Sequence, residues 1–187
     1  MAGWEQHNGG SGRVKMDGGR LTSFFAEIAE KHHPDEIVFL CIGTDRSTGD
    51  ALGPLTGSLL AAAGFPHVIG TLPAPCDADT FGALAAGIQP GRIIVAIDAC
   101  LGPPWAVGFC FAAEGPLHPA QSIGLVLPAV GDYSVAAVVA AAGPKPYRTL
   151  QTTPLHRVMG MADQIAAAAA AGFGIGRPGV SSGGDRA

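Results

Sequence analysis

Several common kinds of site are missing from this sequence of 187 residues. No glycine-rich loop ends in Gly-Lys-Ser/Thr, which excludes the phosphate cradle of a P-loop nucleotide binder. No serine stands on a strand-to-helix Gly-x-Ser-x-Gly elbow, so the usual serine-hydrolase arrangement has nothing to rest on. The four cysteines, at 41, 76, 100 and 110, form no C-x-x-C pair. They read as reduced, mostly buried thiols of a cytosolic protein. Lys and Arg number 11 and form no run, and the net charge is −4, which excludes binding to nucleic acid by phosphate neutralisation. No apolar run reaches membrane-spanning length. Residues 1–20 lack the apolar segment of a secretory leader.

What is present is hydrocarbon. Charged residues make up 14% and apolar ones 48%, too much hydrocarbon for a disordered chain. The length suits one domain with a substantial core. Residues 1–20 are glycine-rich and aperiodic and read as a flexible N-terminal arm, 21–172 as a single domain, and 173–187 as a flexible glycine-rich tail. Leu21, Phe24, Phe25 and Ile28 share a helix face, with Thr22 or Ser23 as cap and Pro34 as stop.

Residues 36–41, EIVFLC, predict a buried strand, and 52–63 a helix closed by Gly64. Residues 67–72, HVIGTL, predict a second strand, followed by a helix over DTFGALAAGI with Asp77 or Asp79 as cap. Residues 91–100, GRIIVAIDAC, are the strongest strand, apolar enough to be covered on both faces. Residues 106–112, AVGFCFA, follow after so short a link that an antiparallel hairpin with that strand is expected. Residues 114–127 read as mostly loop, and 134–142, SVAAVVAAA, as a strand on their β-branched content. The last helix covers 154–171, with Thr152 or Thr153 as cap, Leu155, Val158, Met159, Ala162 and Ile165 inward, and Gly172 at C′.

Polar chemistry concentrates in residues 42–54, IGTDRSTGDALGP, which hold three glycines and two aspartates behind an apolar strand. In an open α/β sheet such loops lie at the carboxyl ends of the strands, where ligands bind. Asp50 stands where the loop becomes helix and Asp98 at the exit of the strongest strand. Two carboxylates on one sheet edge can share a proton, one acting as base toward water and the other as acid toward a carbonyl or leaving group. The helix N-terminus favours the charged form of Asp50, so Asp98 is expected to hold the proton. The plainer reading is that Asp50 only caps the helix and that loop amides satisfy Asp98. Asp45 adds a third carboxylate, and Arg46 beside it can pair with an acid or remain surface. Asp50 and Asp98 with His118 or His156 would make a metal set, although no spacing requires it. Cys100 reads as a packed thiol.

These residues resemble a known family. The loop GTDRSTGDALGP, the strand end IDACLG, and the stretches AEGPLHP and LPAVGD occur here in the order found in the YyaC-type (DUF1256-like) spore protease family, a likeness covering residues 37–168. That family is similar in turn to the germination protease, which degrades small acid-soluble spore proteins, and to the hydrogenase maturation proteases. The resemblance implies a three-layer αβα fold of phosphorylase/hydrolase type with a mixed, mostly parallel sheet. It also implies a catalytic pair at Asp50, followed by Ala-Leu-Gly-Pro, and Asp98, within Ile-Asp-Ala. Relatives usually carry Pro-Val-His-Ala after the second strand, where this chain has Pro75, Cys76, Asp77 and Ala78. Asp77 cannot replace a histidine as neutral base or soft metal ligand.

The expectation is a cytoplasmic, sporulation-associated endopeptidase of a spore-forming bacterium, acting in mother cell or forespore, in which Asp50 and Asp98 activate water against a peptide carbonyl. Gly43, Thr44, Gly49 and the backbone amides around them shape the pocket and steady the oxyanion. Asp45, Arg46 and Asp77 line the substrate side. The expected partner is a peptide or small spore protein, with no cofactor, nucleic acid or membrane, and homo-oligomerisation is left open. Two alternatives stand beside it: a catalytically inactive peptide-binding sporulation protein, and a metal-binding factor like the maturation proteases, using the same carboxylates.

Overall fold

In the computed structural model, which describes residues 14–119 and 127–175, six strands form one mixed sheet. Strand β2 (Ile37–Cys41) is buried at every residue, as its apolar run requires, because it lies inside that sheet. The two-residue β3 (Val68–Ile69) runs parallel on one side of it and β4 (Ile93–Gly102) parallel on the other. Beyond β4 comes β6 (Tyr133–Ala141), also parallel, then β5 (Cys110–Glu114) antiparallel to β6, and β1 (Val14–Met16) antiparallel to β5. The order is β1-β5-β6-β4-β2-β3.

The layers are unequal. Helices α1 (Gly18–Lys31), α2 (Leu52–Ala63) and α5 (Leu155–Gly172) cover one face, where Phe25, Phe39, Leu60, Ile97, Val135 and Ile165 belong to the main core. Among the described residues the other face carries the short α3 (Phe81–Ala86), whose Phe81 joins Leu40, Ile42, Cys76, Ala96 and Leu117, and a 3-10 turn at Pro104–Ala106 beside Phe111 and Val138. Connections β2-α2-β3 and β3-α3-β4 therefore pass on opposite faces. This is a three-layer α/β fold, wound in both directions from the boundary between β2 and β4.

Helix α2 sits unusually close to the sheet. A Cβ on Gly53 would lie 2.0 Å from the Ile42 carbonyl oxygen, and one on Gly57 would lie 2.1 Å from the Gly70 carbonyl oxygen. Neither position has room for a side chain, so the first turns of α2 rest directly on the strand ends. Gly64 closes the helix with φ +102°.

Several expectations change. The 106–112 segment does not form a hairpin with its predecessor: β5 starts at Cys110 and pairs with β6, which inserts between β4 and β5. The link runs through the 3-10 turn and Gly108, whose N–H donates to the Val138 carbonyl, and so spans one strand's width. β3 is shorter than 67–72. Helix α1 starts at Gly18 with Asp17 as its cap, accepting from the Arg20 N–H, while Thr22 and Ser23 donate backward to the Gly18 and Gly19 carbonyls from inside the helix. A further helix, α4 (Pro146–Gln151), precedes α5. Thr152 and Thr153 donate into α4, leaving α5 without a side-chain cap, and Leu155 and Met159 are exposed.

The described structure also reaches past the expected boundaries, since β1 lies within 1–20 and Phe173 packs edge-on against Phe39 and Phe65. The remainder of the expected arm and tail, 1–13 and 176–187, lies outside the described residues, as do 120–126 of the expected loop. No helix among the described residues is long and apolar enough to cross a membrane.

Gly53→Ala should cost about 2 kcal/mol or more, because strain from overpacking outweighs alanine's helix preference of about 1 kcal/mol. Gly82→Ala, inside α3 with nothing within 4 Å of the new methyl, should be neutral or slightly stabilising. Urea titration of the two variants beside wild type checks both signs.

Candidate active site

The last residues paired between β2 and β4 are Cys41 and Ile97, after which Ile42 donates its N–H to the Ile97 carbonyl at 2.8 Å. β2 then ends, but β4 continues to Gly102, paired only with β6, with a register shift between Cys100 and Leu101. Asp98 is the first residue beyond that departure. It is not at the end of its strand but in the notch left by its neighbour. Ala96 belongs to the α3-side cluster and Ile97 to the opposite core, so alternation turns Asp98 toward the α3 side. The notch coincides with the reversal of strand order, where open α/β sheets bind ligands.

The loop from β2 to α2 folds back over this notch. Gly43 leaves the strand at φ +145°, and a Cβ there would meet the Asp50 carbonyl oxygen at 2.0 Å. Thr44 N–H donates to that carbonyl at 3.2 Å, Gly43 N–H to the Cys76 carbonyl at 2.9 Å, and Gly49 N–H to the Leu150 carbonyl at 2.8 Å. The amides of these three residues, expected with their neighbours to steady an oxyanion, are thus already committed inside the protein. They shape the loop and are not free to bind a ligand. The Leu150 carbonyl and the Gln151 carbonyl, which accepts from the Thr48 hydroxyl at 3.2 Å, anchor the loop from α4. Nothing in the local sequence signals that anchor, because it comes from about a hundred residues downstream.

Asp50 is half-buried, and burial raises its carboxyl pKa above the ordinary 3.8, with the Ser47 hydroxyl pulling the other way. Ser47 is itself buried and its Oγ lacks a partner at full hydrogen-bond geometry, so its pull is partial. The cap position of α2 is Ala51, with no side-chain cap bond. Asp50 is therefore not a simple helix cap, and desolvation outweighs the helix N-terminus that was expected to keep it ionised. Ser47, three residues before Asp50 in the same loop, escaped the sequence reading.

Asp77 stands across the notch. Its Oδ1 accepts from the N–H groups of Asp79 and Thr80 and from the Thr80 hydroxyl, capping the turn ahead of α3. Its Oδ2 accepts from Arg46 Nη2 at 2.8 Å. Slight burial pushes its pKa up, but the Thr80 and Asp79 hydrogen bonds and the Arg46 charge together hold it below the usual value. Asp45 is exposed. Cys76 is raised to about 11 by burial and then by Asp77 and Asp98, which places both carboxylates near one thiol and keeps that thiol protonated. Cys41 and Cys110 are likewise pushed up by burial, and no disulfide joins any of the four cysteines. His118 and His156 are exposed. No group of three His, Cys, Asp or Glu side chains that could hold a metal is found among the described residues. Asp50 and Asp98 would each offer an oxygen, and further ligands would have to come from elsewhere.

Residues 15–168 match the family model described as Protein of unknown function (DUF1256). Uncharacterized protein YyaC of Bacillus subtilis (strain 168) is 41% identical over 135 residues, a match covering 70% of this chain and 66% of the relative, just under two thirds of its length. Among solved structures, the [NiFe] hydrogenase maturation protease HybD from Thermococcus kodakarensis is similar with a TM-score of 0.46 at 15% identity, over 70% of this chain and 94% of HybD. The [NiFe] hydrogenase maturation protease HycI from Thermococcus kodakarensis KOD1 gives 0.44 at 18% identity, over 71% and 91%. These two likenesses carry no argument about chemistry.

A carboxyl whose folded pKa lies above its unfolded value adds stability that is complete below the unfolded pKa and is lost as pH rises through the folded pKa. Asp50→Asn removes the cost of burying a charge, so the variant should be more stable than wild type at neutral pH. The difference should shrink as pH falls toward 3.8. Denaturant midpoints of both proteins across that range read the effect, and a gap that widens on acidification contradicts it.

Proposed function

This protein belongs to the DUF1256 family, and we propose that it is an aspartate-dependent endopeptidase acting on peptide or small-protein substrates in the cytoplasm of a spore-forming bacterium. The observation that carries the reading is a carboxyl, Asp50, whose pKa burial raises, in the loop that follows β2, at the same sheet edge where Asp98 lies just past the end of the β2–β4 pairing. An acid with a raised pKa and a second carboxylate can divide the acid and base roles between them. The sequence resemblance to the germination protease falls on the same two residues and supports the same assignment.

In this reading the burial that raises the Asp50 pKa gives it the acid role, the reverse of the roles expected from the helix N-terminus. Asp50 holds the proton and Asp98 is the base. The Asp98 carboxylate takes a proton from water as the water oxygen bonds to the peptide carbonyl carbon, and Asp50 gives its proton to the carbonyl oxygen. The resulting gem-diol collapses when Asp98 passes its new proton to the amide nitrogen and the C–N bond breaks. The hydroxyl that Asp50 had protonated returns its proton to Asp50 as the new carboxyl forms. Water is consumed and both aspartates regain their starting states. Because the Gly43, Thr44 and Gly49 amides are committed elsewhere, the proton of Asp50 is what neutralises the developing oxyanion.

Asp98→Asn should lower peptide cleavage by about a thousandfold, as loss of a general base does, and Asp50→Asn by a comparable factor. Wild type and both variants incubated with small acid-soluble spore proteins and a peptide library, with products read by mass spectrometry, test this. Cleavage that persists in both variants rejects the mechanism, and silence from wild type under every condition rejects the peptidase reading.

A further inference from the structure

Arg46 is the one cation in the loop over the notch. Its side chain is 71% exposed, yet it is held along its length. Nε donates to the Thr44 hydroxyl at 3.2 Å, the backbone N–H of Arg46 donates to the same hydroxyl at 3.3 Å, and Nη2 donates to Asp77 at 2.8 Å. Asp77 is fixed in its turn by Asp79 and Thr80. The guanidinium therefore braces the loop after β2 against the loop after β3, directly beside the notch. An exposed arginine normally gives up rotamer entropy when it binds, whereas this one is ordered beforehand.

A guanidinium offers five N–H donors. Two atoms, Nε and Nη2, are engaged, and the Nη1 hydrogens make no hydrogen bond among the described residues. The ionised acids around the notch, Asp45, Asp77, Asp79 and Asp98, can accept but not bind a carboxylate, and in the proposed mechanism the proton of Asp50 goes to the peptide carbonyl oxygen. We propose that Arg46, oriented by Asp77, is the specificity residue of this site and recognises a carboxylate of the peptide substrate, either an acidic side chain or a chain terminus. The proposal rests on the peptidase reading and names its substrate class. Exposed, unbraced Asp45 gives a basic peptide only weak attraction through water. A braced guanidinium makes charge-assisted, forked bonds of roughly twice ordinary strength.

Binding tests this without turnover. Short fluorescent peptides in which a single Glu is walked through each position, with matched Gln and Lys series and free or amidated C-termini, are titrated by anisotropy against full-length Asp98→Asn, and against wild type at times short of turnover. The expected result is about tenfold tighter binding of a Glu peptide than its Gln partner, the size of one charge-assisted hydrogen bond, abolished by adding Arg46→Gln. Asp77→Asn, which keeps the arginine but releases its brace, should lose part of the preference. If the terminal carboxylate is the source, amidation and not Glu→Gln removes the preference. Equal binding throughout, tighter binding of Lys peptides, absence of binding, or a preference that survives Arg46→Gln overturns the proposal. Hydrolysis of the tightest ligand by wild type is scored separately, so that failure of the peptidase reading leaves the role of Arg46 decided by affinity.

Discussion

The contact between the backbone of α2 and the end of β2 governs the site. With no side chain on Gly53 or Gly57, the helix rests against the carbonyl oxygens of Ile42 and Gly70, and the gap from strand to helix is almost closed. The residues between them are far more than the gap needs. The surplus chain folds back on itself through the Thr44–Asp50 and Ala51–Ser47 backbone hydrogen bonds. That fold draws Asp50 and Ser47 out of water. Burying a polar group without full hydrogen bonding is costly, and here the cost is imposed by glycine contacts made below the site.

The electrostatic character of the notch follows from unequal solvation. Asp50 is shielded and lifted, whereas Asp77 lies on the same rim but is surrounded by donors and lowered. Two aspartates of identical intrinsic acidity thus end on opposite sides of their ordinary value. Nearby Cys76 is kept a neutral thiol by burial and by the carboxylates. The thiol has the wrong charge state for a nucleophile.

Much of this was legible from the sequence where a local pattern had a single physical outcome. The run IVFLC suits only a strand covered on both faces, Gly64 suits the left-handed close of α2, and SVAAVVAAA became β6 as its β-branched residues suggested. Patterns with a distant partner were not legible. The hairpin expected at 106–112 failed because β6, some twenty residues onward, is the better neighbour for both β4 and β5. Thr22 and Ser23 are reasonable caps by type, but Asp17 lies one turn earlier and is acidic at a helix start. At the candidate site, the loop and Asp98 stand out by residue type and position. The upward direction of the Asp50 shift was not legible, since helix polarity is visible in a sequence and depth of burial is not. The commitment of the Gly43, Thr44 and Gly49 amides was equally hidden, because their acceptors lie at Cys76, Asp50 and Leu150.

The three residues of β1 touch the sheet only through β5, and β5 touches it only through β6. A strand near the beginning of the chain therefore has no place to settle until residues 133–141 have been made and seated. On the ribosome, the parallel half, β3-β2-β4, can assemble while the other edge is still unfinished. The earliest described segment to be synthesised is then the last strand to be joined, and its slow, long-range closure falls at the end of folding.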